Sequence, residues 1–369
     1  MRIILLFLIG VFDLYYSPFG RIFDYVAFLL VFIFIAKKEL LSNYKILLYL
    51  IAPFSFGILF FNDIKSVIGI LFGISFGYIF YIYYQKNQSI IPFVWVSIFM
   101  SIIFLIQLFT FKFFGFYIDF TTILGSLSSR NYIEETDFFR ASGLFQEPNS
   151  YCVFAFMMST ILLYTKYEHK YKNIALVLLI STMIISNSLW GMLLGIGLIG
   201  LFILRKEYKY ILTVTLVLIV TQSIWLENRT KYRITNVFIE STVQERYVGS
   251  KFTEIDNEQI NNLLVKENDS IILKIKNFVL GYGSSSYGFQ VKYGANGISY
   301  LLFNFGLFGL ILFLYYVYYL DNTKYKQKLI ITLFLLTSYP YFTYTIFWVW
   351  FVVMNFNSIE RFKKRIFIC

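Results

Sequence analysis

The chain alternates between long apolar blocks and short polar connections. Apolar runs cover 3–17, 22–36, 46–61, 64–84, 90–111, 148–165, 174–188, 189–204, 210–226, 298–318, 329–339 and 341–356. A bilayer core takes about 20 residues of helix to cross, and several of these blocks reach that length. The shorter ones suit broken helices or local thinning of the bilayer. The pattern therefore predicts an all-α, polytopic integral membrane protein of about 12 transmembrane helices, forming a single membrane domain over 1–369. Two glycine rows, Gly69, Gly73 and Gly77 in one block and Gly191 and Gly195 in another, are spaced for close helix packing.

Composition sharpens this picture. Hydrophobic residues make up 58% of the chain and charged ones 14%, against ~25% charge in a soluble domain. An ordinary soluble enzyme and a disordered chain are both excluded. Phe, Tyr and Trp make up 22% and crowd the block ends, where an amphipathic ring keeps its polar tip wet.

The net charge of +11 would suggest nucleic acid in a soluble protein, but its distribution reports topology instead. With the N-terminus placed in the cytoplasm, the even-numbered connections hold Lys37, Lys38 and Lys45; Lys86; Lys166, Lys170 and Lys172; Arg205, Lys206 and Lys209; and Lys324, Lys326 and Lys328. The tail adds Arg361, Lys363, Lys364 and Arg365, whereas the short odd-numbered connections are nearly free of cations. By the positive-inside rule both termini are cytoplasmic. Residues 11–20 offer no small-x-small cleavage site, so the first block is expected to remain as a span. Cys152 and Cys369 then fall on opposite sides of the membrane, and no disulfide is expected.

This threading leaves two long polar segments, 112–147 and 227–297, on the outer face, where function is expected. Within the second, 236–265 has apolar residues at loosely helical spacing, suiting a helix on the membrane surface. No phosphate-cradling GxxxxGK[ST], HExxH, GxSxG or Cys/His cluster occurs, so nucleotide hydrolysis and metalloproteolysis lose support and no metal or cofactor is expected. His169, the one histidine, falls in a Lys-rich inside loop and reads as a loop residue.

The densest outer cluster is Arg140-Ala-Ser-Gly143-Leu-Phe145-Gln-Glu147-Pro148-Asn149, with Pro148 where a helix begins. An Arg and a Glu at a helix start near headgroup level would meet lipid-linked anions, or would pair to pin the loop. Arg229, Lys231 and Arg233 follow the ninth block and Glu245-Arg246 lies farther on. They suit phosphate binding or anchoring to anionic headgroups. Gly281-Tyr282-Gly283 begins a turn with backbone N–H groups that can cradle an anion. Gln107 and Asn304 are polar and uncharged within apolar blocks, and the scarcity of buried charge counts against an ion-driven relay.

Taken in order, the R-x-x-G-x-F-x-E-P-N run, the Ser186-Asn187-Ser188-Leu189-Trp190-Gly191 hairpin, an outer-loop Arg followed by G-x-G, and Asn296-Gly297 leading into Asn304 and Gly306 resemble the O-antigen polymerase (Wzy-like) and O-antigen ligase superfamily, most clearly over 138–312. The resemblance implies glycan transfer at the outer face of the bacterial inner membrane, from undecaprenyl pyrophosphate to an acceptor hydroxyl, without metal or nucleotide. Arg140 and Arg246 match arginines used around the lipid pyrophosphate. Glu147, or else Glu245, is implied as base or acceptor-positioning carboxylate. Arg229, Arg233, Asn149, Tyr282 and Asn296 join the substrate-binding set by location. The ligase branch carries a histidine where this chain reads Gly294-Ala295-Asn296-Gly297, and that departure favours a polymerase. Implied partners are the lipid-linked oligosaccharide, membrane lipid, a flippase and a chain-length regulator, with no nucleic acid. A ligase, another lipid-phosphate glycosyltransferase in which Asp13 would be the acid to test, and a polysaccharide-unit flippase or transporter remain alternatives.

Overall fold

A computed structural model describes residues 51, 64–87, 89–123, 132–133, 138–165, 167–186, 188–205, 271–281, 297–321, 323, 326–336 and 345–356. Among these the protein is all-α, with ten helices and one two-residue antiparallel ladder. The helices are α1 (Ile64–Asn87), α2 (Ile91–Phe114), the single turn α3 (Phe120–Ile123), α4 (Pro148–Tyr164), α5 (Lys172–Ile185), α6 (Leu189–Leu204), α7 (Ile271–Leu280), α8 (Gly297–Leu320), α9 (Gln327–Leu336) and α10 (Thr345–Phe356). Strands β1 (Tyr132–Ile133) and β2 (Phe138–Phe139) pair in the register Tyr132 to Phe139 and Ile133 to Phe138. Each apolar block from 64 to 204 and from 298 onward is matched by a helix within a few residues. The blocks at 3–17, 22–36, 46–61 and 210–226, and the helical reading of 236–265, lie outside the described residues.

The chain forms two compact units. The first takes residues 1–36, 79–235 and 349–369, and the second 37–78 and 236–348, so the division falls within α1 and within α10.

In the first unit α4 is central. Every residue from Tyr151 to Leu163 is buried, which follows from a sequence apolar on all sides. α2, α5 and α6 pack around it, and the Trp350 indole N–H donates to Thr160 Oγ1 at 2.8 Å. Pro148 occupies the first turn, where its missing N–H costs no helical bond.

α2 shows what lies outside this core. Phe93, Val96, Met100, Phe104, Gln107 and Leu108 recur at helical spacing and are buried, while Trp95, Phe99, Ile102, Ile106, Phe109 and Phe113 on the other side are exposed. Both faces are apolar. The helix has 24 residues, spanning about 36 Å, and it ends at Gly115, whose left-handed backbone lets its N–H close onto the Phe111 carbonyl at 2.9 Å. Among the described residues it is the one helix long and apolar enough to cross a bilayer. Shorter apolar helices cover Gly73–Ile82, Lys172–Ile185, Trp190–Ile203, Asn304–Leu320, Gln327–Leu336 and Ile346–Asn355.

The second unit contains two close backbone approaches. Gly73 and Gly77 lie against Trp348, and a Cβ at Gly77 would stand 2.6 Å from the Trp348 carbonyl oxygen. The four-residue glycine spacing thus serves packing. α8 is not one continuous helix: Gly306, at φ +67° and ψ −177°, breaks it. Side chains added at Gly306 or at Gly281, which has φ +82°, would collide with one another's surroundings, Val279 and Asn304. Between α8 and α9 the buried Asp321 accepts from the Thr323 N–H at 2.9 Å and the Leu329 N–H at 3.0 Å, which ties the turn to the next helix.

Replacing Gly77 by Val should lower stability by about 1–3 kcal/mol through overpacking against a backbone that cannot move aside. Gly200, which has open space where a side chain would stand, should accept Ala without loss. Thermal unfolding of the two purified variants beside the parent checks both expectations.

Candidate functional site

The R-x-x-G-x-F-x-E-P-N run begins at the end of β2. Phe139 is fully buried, stacked on Phe111 with ring centroids 4.2 Å apart and edge-on to Tyr117 at 5.7 Å. This fixes where the next residue, Arg140, enters. Arg140 is half-buried, with its Nε enclosed and its charge acting on the Cys152 thiol of α4.

The chain then turns sharply. The Phe145 N–H donates to the Ser142 carbonyl at 3.1 Å, and the Ser142 hydroxyl donates to the Phe145 carbonyl. Gly143 adopts φ +60° inside this turn, while a side chain there would meet Phe104 only at ordinary contact distance. Glycine is therefore required by backbone conformation and not by space. Phe145 is buried against Tyr151 and Phe154. The Tyr151 hydroxyl donates to Thr182 Oγ1 at 2.6 Å.

Holding the turn from below is Gln107 of α2, fully buried. Its Oε1 accepts from the Ser142 N–H at 2.8 Å and the Gly143 N–H at 2.9 Å. Its Nε2 donates to the Ile118 carbonyl at 2.9 Å. One side-chain amide thus satisfies three backbone groups from two stretches of the 112–147 segment. The sequence alone marked Gln107 as a polar residue in an apolar block, but gave it no role. Its partners lie 35 and 36 residues away, beyond any local pattern.

At the end of the run, Glu147 takes the position before the first turn of α4 with an extended backbone, and its side chain does not cap the helix. Its carbonyl accepts from the Ser150 N–H at 3.1 Å. Asn149 reaches across to the connection between α5 and α6. The Ser188 hydroxyl donates to Asn149 Oδ1 and accepts from the Gly191 N–H at 3.2 Å, so Ser188 both caps α6 and joins the two motifs. Gly191 lets the hairpin close: a Cβ there would stand 2.6 Å from Cys152 Sγ and 2.8 Å from the Met183 carbonyl oxygen. Cys152 Sγ and Ser186 Oγ are 3.1 Å apart, and the thiol is free and buried.

Arg140, Glu147 and Asn149 share one short stretch by sequence, and the structure sets the Ser186–Gly191 hairpin against it through Asn149 and Ser188. What results is a rigid polar ledge on an apolar helix bundle, carrying one cation and one carboxylate. Such a pair can orient a phosphate group and a hydroxyl. Arg229, Arg233, Glu245, Arg246, Tyr282 and Asn296 lie outside the described residues. His169 sits in the turn before α5, where its Nδ1 accepts from the Tyr171 N–H. No group of three or more metal-ligating side chains occurs among the described residues.

Replacing Gln107 by Leu leaves the Ser142 and Gly143 N–H groups and the Ile118 carbonyl without this partner. The expected outcome is a stability loss of at least ~2 kcal/mol, together with faster tryptic cleavage after Arg140 at temperatures where the rest of the chain stays folded. Limited proteolysis followed by mass spectrometry reads both. No protein-family model matches the chain, and no curated protein or solved structure is significantly similar to it.

Proposed function

We propose that this protein is a polysaccharide repeat-unit polymerase of the bacterial inner membrane. In this reading it crosses the membrane about twelve times with both termini in the cytoplasm. The observation that carries it is the meeting of the R-x-x-G-x-F-x-E-P-N run with the Ser186–Gly191 hairpin at one end of an apolar bundle. The apolar exposed side of α2 supports the membrane setting, since a surface of Trp95, Phe99, Ile102 and Ile106 is covered at no cost by lipid and at high cost by water.

The reaction would join a sugar hydroxyl of a lipid-linked repeat unit to the anomeric carbon of the growing chain. The acceptor oxygen forms the new glycosidic bond as the bond from that carbon to the pyrophosphate oxygen breaks. The electron pair leaves with undecaprenyl pyrophosphate, and the acceptor proton passes to a carboxylate. Pyrophosphate is a good leaving group, so the protein's task is to neutralise its charge and position the hydroxyl. Arg140 offers a planar fork for paired phosphate oxygens, and Arg246, Arg229 and Arg233 would add to it. Glu147 is the base, with Glu245 as the alternative. Asn149 and Asn296 would bind sugar. A flippase delivers the lipid-linked unit and a chain-length regulator limits the product.

The test is a gel of surface polysaccharide from a strain lacking the gene, complemented with the parent, Arg140→Ala, Arg140→Lys or Arg246→Ala, each checked for membrane abundance. Single repeat units in the deletion, a ladder restored by the parent, and a drop of about 10²–10³-fold in long chains for the alanine variants are expected. Loss of all surface repeat units would point to ligation or flipping instead, and an unchanged ladder would overturn the polysaccharide reading.

A further inference from the structure

The segment between 227 and 297 reads as a polar loop in the sequence, yet it contains α7, and α7 is not a loop helix in its surface. Ile272 is 80% exposed, and Ile275, Phe278 and Val279 are exposed with it. At 100° per residue these four fall on one continuous arc, while the helix packs against α8. An apolar arc of this kind calls for a cover, and its depth decides which.

That depth is set by backbone contact. Gly281, immediately after α7, lies against Asn304 and Gly306 at the break in α8. At the far end of α8, Tyr315, Tyr318 and Tyr319 are exposed, and Lys326 stands 4.1 Å over the Tyr318 ring, an aromatic and cationic girdle suited to a membrane boundary. From Tyr318 to the break at Gly306 is about 18 Å of helix, and the other boundary lies about 30 Å from the first. Gly306 then lies roughly 12 Å inside that second boundary. α7 has ten residues, about 15 Å of helix, with its C-terminal end at that level. Most of it therefore lies within the hydrocarbon layer, above the level of Phe308 and Ile311, which are exposed on α8 beyond the break. Lys276, exposed beside the arc, is about 8 Å above Gly281 along the helix, close enough for its ammonium to reach the headgroups.

We infer that α7 is a membrane-embedded helix whose arc of Ile272, Ile275, Phe278 and Val279 is covered by lipid acyl chains, although the segment carrying it is otherwise polar. Non-spanning backbone at membrane depth is tolerated where protein buries it. Here the deep end of α7 is seated in the break of α8, where glycine at both positions lets the backbones meet. The inference rests on the membrane reading proposed above, and the experiment separates the two.

Nitroxide labels are placed singly at Ile275→Cys, Ile311→Cys and Glu168→Cys in a Cys369→Ser background, leaving the buried Cys152, and the protein is reconstituted in phosphatidylcholine and phosphatidylglycerol liposomes. Power saturation then compares collision with oxygen, which concentrates in hydrocarbon, and with a water-soluble nickel chelate. Labels at Ile275 and Ile311 should share a ratio favouring oxygen, and the exposed turn residue Glu168 should show the reverse. If Ile311 favours oxygen and Ile275 favours nickel, α7 is in water and the inference falls while the membrane reading stands. Low collision with both reagents at Ile275 would mean that a protein segment covers the arc, and would overturn it as well. Nickel access at Ile311 would overturn the membrane reading and this inference together.

Discussion

The complete burial of α4 is the constraint around which the first unit is built. A helix with no polar side needs neighbours on every side, and α2, α5 and α6 supply them. Because α4 begins at Pro148, the residues just before it are carried to one end of the bundle, and that is where Arg140, Glu147 and Asn149 are found. The same helix sets the hairpin between α5 and α6, through Cys152 against Gly191 and Ser186. The polar ledge is therefore a by-product of apolar packing.

Polar groups then refine what packing positions. Gln107 is buried where only a side chain that both donates and accepts could satisfy its surroundings, and it does so for three backbone atoms at once. Ser188 works the same way on the other side, accepting from Gly191 and donating to Asn149. Neither residue is charged. In a low-dielectric interior a fully satisfied neutral network gives direction without the desolvation cost of ions.

Much of this was legible in the sequence. Block lengths predicted helices close to those found among the described residues at 64–204 and from 298 onward, since apolar length needs no long-range information. The hairpin around Ser188 and Gly191 was expected only through the family resemblance, and the Ser188 cap on α6, though local chemistry, was not read from the sequence. α7 escaped notice because Lys274 and Lys276 interrupt Ile-Ile-Leu and Ile within ten residues, too short and too charged to stand out from a polar segment. The break in α8 was hidden as well. Gly306 and Gly309 sit in the same apolar run, and what makes Gly306 the break is contact with Gly281, 25 positions earlier. Gln107 was visible as an oddity, but its purpose lay across the turn at Gly143.

That break also bears on the order of assembly. It divides α8 into a first stretch of about nine residues, 297–305, and a longer second one, and nine residues are too few to hold a helix alone. The first stretch is held where its break is seated against Val279 and Gly281. α7 precedes α8 in the chain, so a ribosome releases the helix that seats the break before it releases the break itself.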